Sequence, residues 1–344
     1  MSKIIIKLYS CGQETPESEI PLSLGYLKAN VPLADIKIVK NVEELVDCDY
    51  LGLSATANGI KEAIQILKKT DIPVIIGGQS TLWLNLEKYP FSYIVVGDGE
   101  PALIRILGGE KERVIISDNL MDLDTLNFPD RGMLRENKAP MFTSRGCPFS
   151  CAFCSSQNYW GKVRYVSAEY FIREVDYLLS TYKEGLSWLY IMDDLFIGNV
   201  ERFYKIHDLW MAGEYNKKLK LHSFIRSSMF TKDIGIKMKE MGFKSVRFGA
   251  ESGSDRILKL LNKKSTVEIN QKAINISNEI GLPVQCSFMY NIPTETEEEK
   301  QMTLDFIHKN KGKMTVSGFY RFCPFPGTKF YKGESPLEHT MSVR

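Results

Sequence analysis

The sequence predicts an α/β chain in two parts: a doubly wound parallel sheet, then an open barrel of six strand–helix units. Three observations predict it. Short β-rich apolar runs alternate with helical stretches along nearly the whole chain. In the first third these runs are mostly apolar, as strands buried between two helix layers are. An irregular stretch follows, and the strand–helix alternation then restarts. At 344 residues there is room for two domains.

Taken in order, Ile4–Tyr9, Ile36–Val39, Tyr50–Ser54, Val74–Ile76 and Tyr93–Val96 read as strands. Leu22–Ala29, Ile60–Lys69 and Pro101–Leu107 read as helices between them. Three strands end in small or polar turns: Ser54-Ala55-Thr56-Ala57, Gly77-Gly78-Gln79-Ser80 and Gly97-Asp98-Gly99-Glu100. In open α/β sheets such turns line the ligand crevice, and glycine there lets backbone approach something bulky. Each turn alone is also ordinary strand-to-helix chemistry. Residues 1–110 therefore read as a Rossmann-like domain, and 111–140, with Asp122-Leu123-Asp124 and Phe128-Pro129-Asp130, as the linker.

From 141 the expected strands are Met141–Ser144, Ser187–Met192, Lys220–Ile225, Ser245–Ala250, Val284–Tyr290 and Thr315–Phe322. The expected helices are Ala168–Thr181, Val200–Gly213, Thr231–Met241, Val267–Ile280 and Glu297–Lys309. Six units make a partial TIM-like (β/α)6 barrel over 141–328, with 329–344 as a short extension. Active sites of such barrels sit at the carboxyl ends of the strands. Period-2 parity puts Ser245, Arg247, Gly249 and Glu251 on one face, and Gln285, Ser287 and Met289 on the matching face of the next strand. Arg226 shares parity with Phe224 and His222. Cys286 takes the opposite parity and reads as an inert thiol packed in the helix layer.

Lys plus Arg is 44 and Asp plus Glu is 42, so no strong field draws nucleic acid or an anionic membrane. No apolar run approaches the ~20 residues that cross a bilayer, and the N-terminal Ile4-Ile5-Ile6 run is too short for a signal peptide. Seven cysteines, three of them clustered, fit a reducing, cytoplasmic compartment.

That cluster carries the chemistry. Gly146-Cys147-Pro148-Phe149-Ser150-Cys151-Ala152-Phe153-Cys154 gives Cys-x3-Cys-x2-Cys with an aromatic before the last thiol. Three thiolates hold three corners of a cubane whose closed form takes four ligands. The fourth iron is then open. The competing reading is a zinc site lacking one ligand, but no histidine lies within about fifty residues after Cys154. A disulfide is disfavoured by compartment.

With these residues in hand, the chain resembles radical S-adenosylmethionine (SAM) enzymes with an N-terminal cobalamin-binding domain. The cysteine signature matches the family's without departure, and the resemblance covers nearly the whole chain. Weaker matches follow in order: Tyr190-Ile191-Met192-Asp193-Asp194-Leu195-Phe196, Gly249-Ala250-Glu251-Ser252-Gly253-Ser254, Ile292-Pro293-Thr294-Glu295-Thr296 and Pro324-Phe325-Pro326-Gly327-Thr328.

The resemblance implies that Cys147, Cys151 and Cys154 ligate a [4Fe–4S] cluster whose open iron is chelated by the methionine end of SAM. It implies Phe153 against the adenine and Asp193 or Asp194 on the methionine ammonium. Arg226 would pair with the carboxylate, for which a guanidinium fork is suited, and Glu251 would bind ribose hydroxyls. The rival readings are a barrel salt bridge for Arg226 and a buried ion pair for Glu251. Ser54, Thr56, Gly77, Gly78, Gln79, Gly97, Gly99 and Glu100 resemble the corrinoid-binding surface, as does Pro21–Leu27. Where many cobalamin proteins carry a cobalt-ligating histidine, this chain reads Ser10-Cys11-Gly12-Gln13-Glu14. Its histidines are His207, His222, His308 and His339, none in residues 1–110. Cobalamin would thus lack a histidine ligand from this domain; Cys11 and Gln13 read as solvent-facing loop residues, with a replacement cobalt ligand as the rival reading.

The implied activity is methylation of an unactivated sp3 carbon of a small molecule, peptide or protein. It would proceed through a 5′-deoxyadenosyl radical and methylcobalamin, with ferredoxin or flavodoxin as electron donor and the enzyme a monomer. The chain ends some sixteen residues after Thr328, which suggests no third substrate-capturing domain. Rivals are cyclisation or rearrangement on the same fold, or a non-catalytic iron–sulfur protein, which would leave Arg226, Glu251 and the acidic pair without a task. Cys323, at the mouth of the last strand, reads as a strand-end thiol, with a substrate or cluster role as its rival.

Overall fold

The computed structural model describes residues 3–12, 20–82, 86–117, 121–132, 134, 137–182 and 185–332. The chain forms two compact units. The first takes in residues up to 135 with 158–161, and the second 136–157 and 162–330.

The first unit runs β1 (Ile4–Cys11), α1 (Leu22–Asn30), β2 (Ala34–Ile38), β3 (Tyr50–Ala55), α2 (Ile60–Leu67), β4 (Val74–Gly77), β5 (Tyr93–Val96), α3 (Gly99–Leu107) and β6 (Val114–Ile116). All six strands are parallel, in the order β2-β1-β3-β4-β5-β6. The order reverses between β1 and β3, which places the crevice of a doubly wound sheet at their carboxyl ends. The apolar runs are explained by burial on both faces. Ile60, Ala63 and Ile66 of α2 pack on Leu51, Leu53 and Ile76. Leu24 of α1 and Ala102, Leu103 and Ile106 of α3 pack on Ile6, Leu8 and Val95 from the other side. Each such side chain contributes about 1.5–3 kcal/mol when fully buried.

Two expectations are corrected here. The stretch 111–140 is not all linker: Val114–Ile116 closes the first sheet as β6, because its β-branched run pairs with β5. Cys11 does not face solvent. It is 1% exposed within the core under α2, and burial pushes its thiol well above the usual range. Gln13 lies outside the described residues.

From residue 136 the chain runs β7 (Lys138–Met141), β8 (Ser144–Arg145), α4 (Ser156–Trp160, of which 158–160 count with the first unit), β9 (Arg164–Tyr165), α5 (Ala168–Thr181), β10 (Trp188–Ile191), α6 (Val200–Ala212), β11 (Lys220–Phe224), α7 (Lys232–Met241), β12 (Phe243–Glu251), α8 (Asp255–Leu260), α9 (Val267–Glu279), β13 (Val284–Tyr290), α10 (Glu297–Lys309) and β14 (Thr315–Arg321), and apart from 158–160 these elements form the second unit. Its six-stranded sheet is parallel in sequential order, β7-β10-β11-β12-β13-β14. The first barrel strand therefore lies earlier than expected, at 138–141. Ser144–Arg145 instead pairs with Arg164–Tyr165 as a small antiparallel ribbon at the base of the cysteine loop.

The helix starts share one device, including that of α8, which was not expected from the sequence. Ser167, Asn199, Thr231, Ser254, Thr266 and Thr296 each accept a hydrogen bond from a first-turn backbone N–H, the ordinary work of such caps. Alternation also holds. Leu189, Ile191, Leu221, Val246, Phe248, Cys286 and Phe288 are at most 1% exposed on the helix side, where Phe288 meets Phe306 of α10. Cys286 is in that layer as expected, its thiol pushed up to about 12 by burial.

Candidate functional site

Because the second sheet is parallel, all its carboxyl ends lie along one edge. That edge carries the cysteine loop after β7, Asp193 and Asp194 after β10, Arg226 after β11 and Glu251 ending β12.

The cysteine loop leaves the ribbon through Gly146 at φ +95°, a conformation glycine adopts without cost. The turn after α8 pins it. Ala152 N donates to Leu261 O at 2.8 Å, and Asn262 Nδ2 to Ser150 O at 2.6 Å. Cys154 N reaches back to Cys151 O at 3.1 Å. All three thiols are free. Cys154 is accessible, yet the atoms around it push its thiol up to about 11. Loss of solvation raises Cys147 as well, and the nearby Asp194 carboxylate acts in the same direction on both.

The acidic pair divides its labour. Asp193 is buried and accepts from Thr143 N at 2.6 Å, Thr143 Oγ1 at 2.5 Å and Ser144 N at 3.0 Å. It braces the exit of β7, with three of the roughly four acceptor sites of its carboxylate taken. Burial pushes its carboxyl up against the pull of Arg202 and those donors. Asp194 points to the cysteine side, accepting only from Ser156 Oγ at 2.5 Å.

Arg226 is 6% exposed. Its guanidinium lies 3.9 Å from the Phe149 ring centroid, Nε donates to Ser228 Oγ at 3.1 Å, and Nη1 to Cys151 Sγ at 3.4 Å. Among the described residues, Nη2 is buried with no partner. A buried unpaired donor costs about 1–3 kcal/mol, so this orphan marks a position for an acceptor beside the cysteines.

Glu251 sits at φ +65°, where β12 bulges against β13 after Gly249. Its carboxylate folds back over Gly249 and takes the space a side chain there would need. Oε1 accepts from Lys263 Nζ at 2.5 Å. The ion-pair reading of Glu251 thus holds for one oxygen. Phe153 packs among Ile257, Leu261, Ile292 and Met289, with Lys263 Nζ 5.6 Å from its ring centroid.

Sequence reading missed the supports. Asn270 is buried, accepts from Ser227 Oγ at 2.6 Å and Ser265 Oγ at 3.1 Å, and donates to Ala250 O at 3.1 Å. One amide therefore holds the turn after Arg226 and the bulge before Glu251. Lys263 was also missed, since Asn262-Lys263-Lys264-Ser265 has no periodicity to read. Cys323 is half-buried beyond β14.

In the first unit, Ser54 pairs with Gly77 in register at the carboxyl edge, and Thr56 follows β3. A side chain at Gly77 would point into open space. Gly78, at φ +91°, lies against the Ala55 peptide, where a Cβ would come within 2.7 Å of its oxygen. Gln79 opens the following turn, and Gly97 turns at φ +95°. Gly99 packs on Leu27, and Glu100 is 4% exposed in the first turn of α3.

Among the described residues, no three His, Cys, Asp or Glu side chains converge on a single ion. A cubane spreads its thiolates over three irons instead, and thiolates with one iron left open suit that group. The family model that matches, over residues 141–307, is the radical SAM superfamily. That stretch is a radical SAM domain.

An uncharacterized methyltransferase of Pyrococcus horikoshii is 28% identical over 91% of this chain and 78% of its own. The radical SAM methyltransferase TsrM of Kitasatospora setae, solved with cobalamin and a [4Fe–4S] cluster, superposes at TM-score 0.77 with 15% identity, covering 95% of this chain and 74% of TsrM. The cobalamin-dependent radical enzyme OxsB superposes at 0.70 with 19% identity, covering 91% of this chain and 53% of OxsB. These likenesses show a fold shared with cobalamin-dependent radical SAM proteins. No helix among the described residues is long and apolar enough to cross a membrane.

Proposed function

We propose that this radical SAM enzyme is a cobalamin-dependent methyltransferase acting on an sp3 carbon of a small molecule or an exposed peptide segment. The observation that carries the reading is Arg226. Its Nη1 touches the Cys151 sulfur while its Nη2 is buried and unpaired, a fork awaiting a carboxylate next to the cluster thiols. Methyl transfer is favoured by the shared two-domain fold and by the methyltransferase names among relatives.

In this reading Cys147, Cys151 and Cys154 hold the cluster. Arg226 takes the SAM carboxylate and Asp194 the ammonium. Asp193 only braces β7. Glu251, with Oε1 on Lys263, offers Oε2 to a ribose hydroxyl, and Phe153 flanks the adenine. Ser54, Thr56, Gly77, Gly78, Gln79 and Gly97 cradle the corrinoid, with Gly99 and Glu100 shaping the turn behind them. When bound, these groups supply a 5′-deoxyadenosyl radical and a transferable methyl group. The protein holds the reacting carbon in place and excludes water.

With no histidine in residues 1–110, the cobalt takes no such ligand from this domain. A cobalt without a strong lower ligand would favour methyl transfer to a carbon radical, and nitrogen hyperfine structure from a lower ligand in the cob(II)alamin spectrum would contradict that. The test of function is anaerobic turnover of reconstituted enzyme with a low-potential ferredoxin or flavodoxin. Both S-adenosylhomocysteine and 5′-deoxyadenosine are expected. Deoxyadenosine without S-adenosylhomocysteine rejects methyl transfer.

A further inference from the structure

Below the carboxyl edge, the face of the second sheet turned away from its helices has a composition of its own. Trp188 and Tyr190 of β10, His222 and Phe224 of β11, Arg247 of β12 and Gln285 of β13 share it by alternation, and none is fully buried. Cations and rings interleave. The Arg247 guanidinium lies 5.4 Å from the Phe224 centroid, Lys220 Nζ 5.3 Å from Trp188, and Lys138 Nζ 6.0 Å from Tyr190. The His222 ring lies 5.3 Å from that of Tyr190, tilted by 50°.

Among the described residues of these six strands the sole acid is Glu251, at the edge and already paired with Lys263. Arg247 directs Nε and Nη2, at 3.1 and 2.7 Å, onto one neutral oxygen, Gln285 Oε1. Gln285 Nε2 in turn reaches Ser245 Oγ, which contacts His222 Nδ1, each at 3.5 Å. The guanidinium is held flat by a ring and a glutamine but is charge-compensated by neither. Desolvation and the Arg247 charge also keep His222 below its usual range. A half-buried arginine oriented this way, with no counter-charge, is the arrangement that receives an oxyanion bidentately.

We propose that this face binds the substrate, and that the substrate carries a carboxylate or phosphate on a flat apolar body. Arg247 takes the oxyanion, Lys220 adds field, and Trp188, Tyr190 and Phe224 cover the apolar part. The inference rests on the radical reading of the edge above it, because an anion anchored deep on this face leaves its distal carbons toward that edge.

The test is equilibrium binding of three probes to the full chain by saturation-transfer NMR: 2-naphthoate, 2-naphthyl phosphate and uncharged 2-naphthamide. At least one anion is expected to bind about tenfold tighter than the amide, as one charge-assisted hydrogen-bond pair confers. Whichever anion wins identifies carboxylate or phosphate. Arg247→Met erases the preference and Arg247→Lys keeps part of it. Equal binding of all three probes by the unaltered protein overturns the proposal, as does a preference surviving in a folded Arg247→Met. Should Arg247→Met not fold, Lys220→Met at an exposed position must weaken the anions and spare the amide, and unchanged anion affinity there also overturns it. Binding needs no turnover, so it separates failure of this site from failure of the methyltransferase reading.

Discussion

Lys263 Nζ stands 2.5 Å from Glu251 Oε1, with both side chains nearly buried at 10% and 9% exposure. The pair joins the αL end of β12 to the turn that pins the cysteine loop. Removing one partner strands a buried charge, which costs about 3–5 kcal/mol. Lys263→Met is therefore expected to lower unfolding stability by that order in urea titrations. Adding Glu251→Gln should restore most of it, since the charge left behind is what costs. If the single variant unfolds like the parent, the ion pair is not a structural brace.

Asp193 and Asp194 are adjacent and separable. Asp193 accepts two backbone N–H groups and a hydroxyl. Asp193→Asn turns an acceptor toward those donors into a group with its own N–H, and about 2–4 kcal/mol of stability is expected to go. Asp194→Asn is expected to melt like the parent but to cut deoxyadenosine release at least about tenfold at low SAM, as loss of one charge-assisted contact requires. A stable Asp193→Asn beside an unstable Asp194→Asn would reverse the assignment.

Why one aspartate and not the other could not be read from sequence is instructive. Alternation fixed the faces of β10 to β13 while the strands were regular, so the helix-side positions of Val246, Phe248, Cys286 and Phe288 were legible. Parity stops at the carboxyl ends. After Ile191 the chain leaves the ladder, and the choice between Asp193 and Asp194 depends on where Thr143 and Ser144 aim their donors. At β12 the bulge breaks register between Gly249 and Glu251, so counting by two no longer says where Glu251 points. The cysteine spacing was legible because three ligands within one loop need no long-range information. Asn270 and Lys263 were not, because their partners lie on segments whose approach only tertiary packing decides.

The Ile292–Thr296 segment, weak as a motif, has a packing reason. Thr296 caps α10 with Glu299 in a capping box. Glu299 also accepts from Ser254 Oγ and pairs with Arg256, whose Nη2 reaches Thr294 O. The Arg256 guanidinium holds the Glu299 carboxyl at about 2, far below the usual carboxylate range. A depressed folded pKa means the unfolded chain binds the proton more readily. The stabilisation is thus present above the unfolded value of about 4.3 and lost as pH falls toward 2. Glu299→Gln is expected to cost about 1–2 kcal/mol at pH 7. Its melting curve should converge on the parent's between about pH 4 and 2. A constant difference across that range would show that charge is not what Glu299 contributes.

Asn270 holds both anchors of the proposed SAM site at once, through Ser227 behind Arg226 and Ala250 before Glu251. Asn270→Ala leaves Ala250 O and two buried hydroxyls short of a partner, at about 1–3 kcal/mol in total after relaxation. Its effect on function should be one of position. The three cysteines lie on another loop, so iron and sulfide content after reconstitution is expected to match the parent. The apparent KM for SAM should rise about tenfold, because a fork displaced by a fraction of an ångström loses bidentate contact. Loss of iron together with SAM affinity would mean instead that Asn270 supports the whole edge, and the separation of cluster loop from SAM anchors would fail.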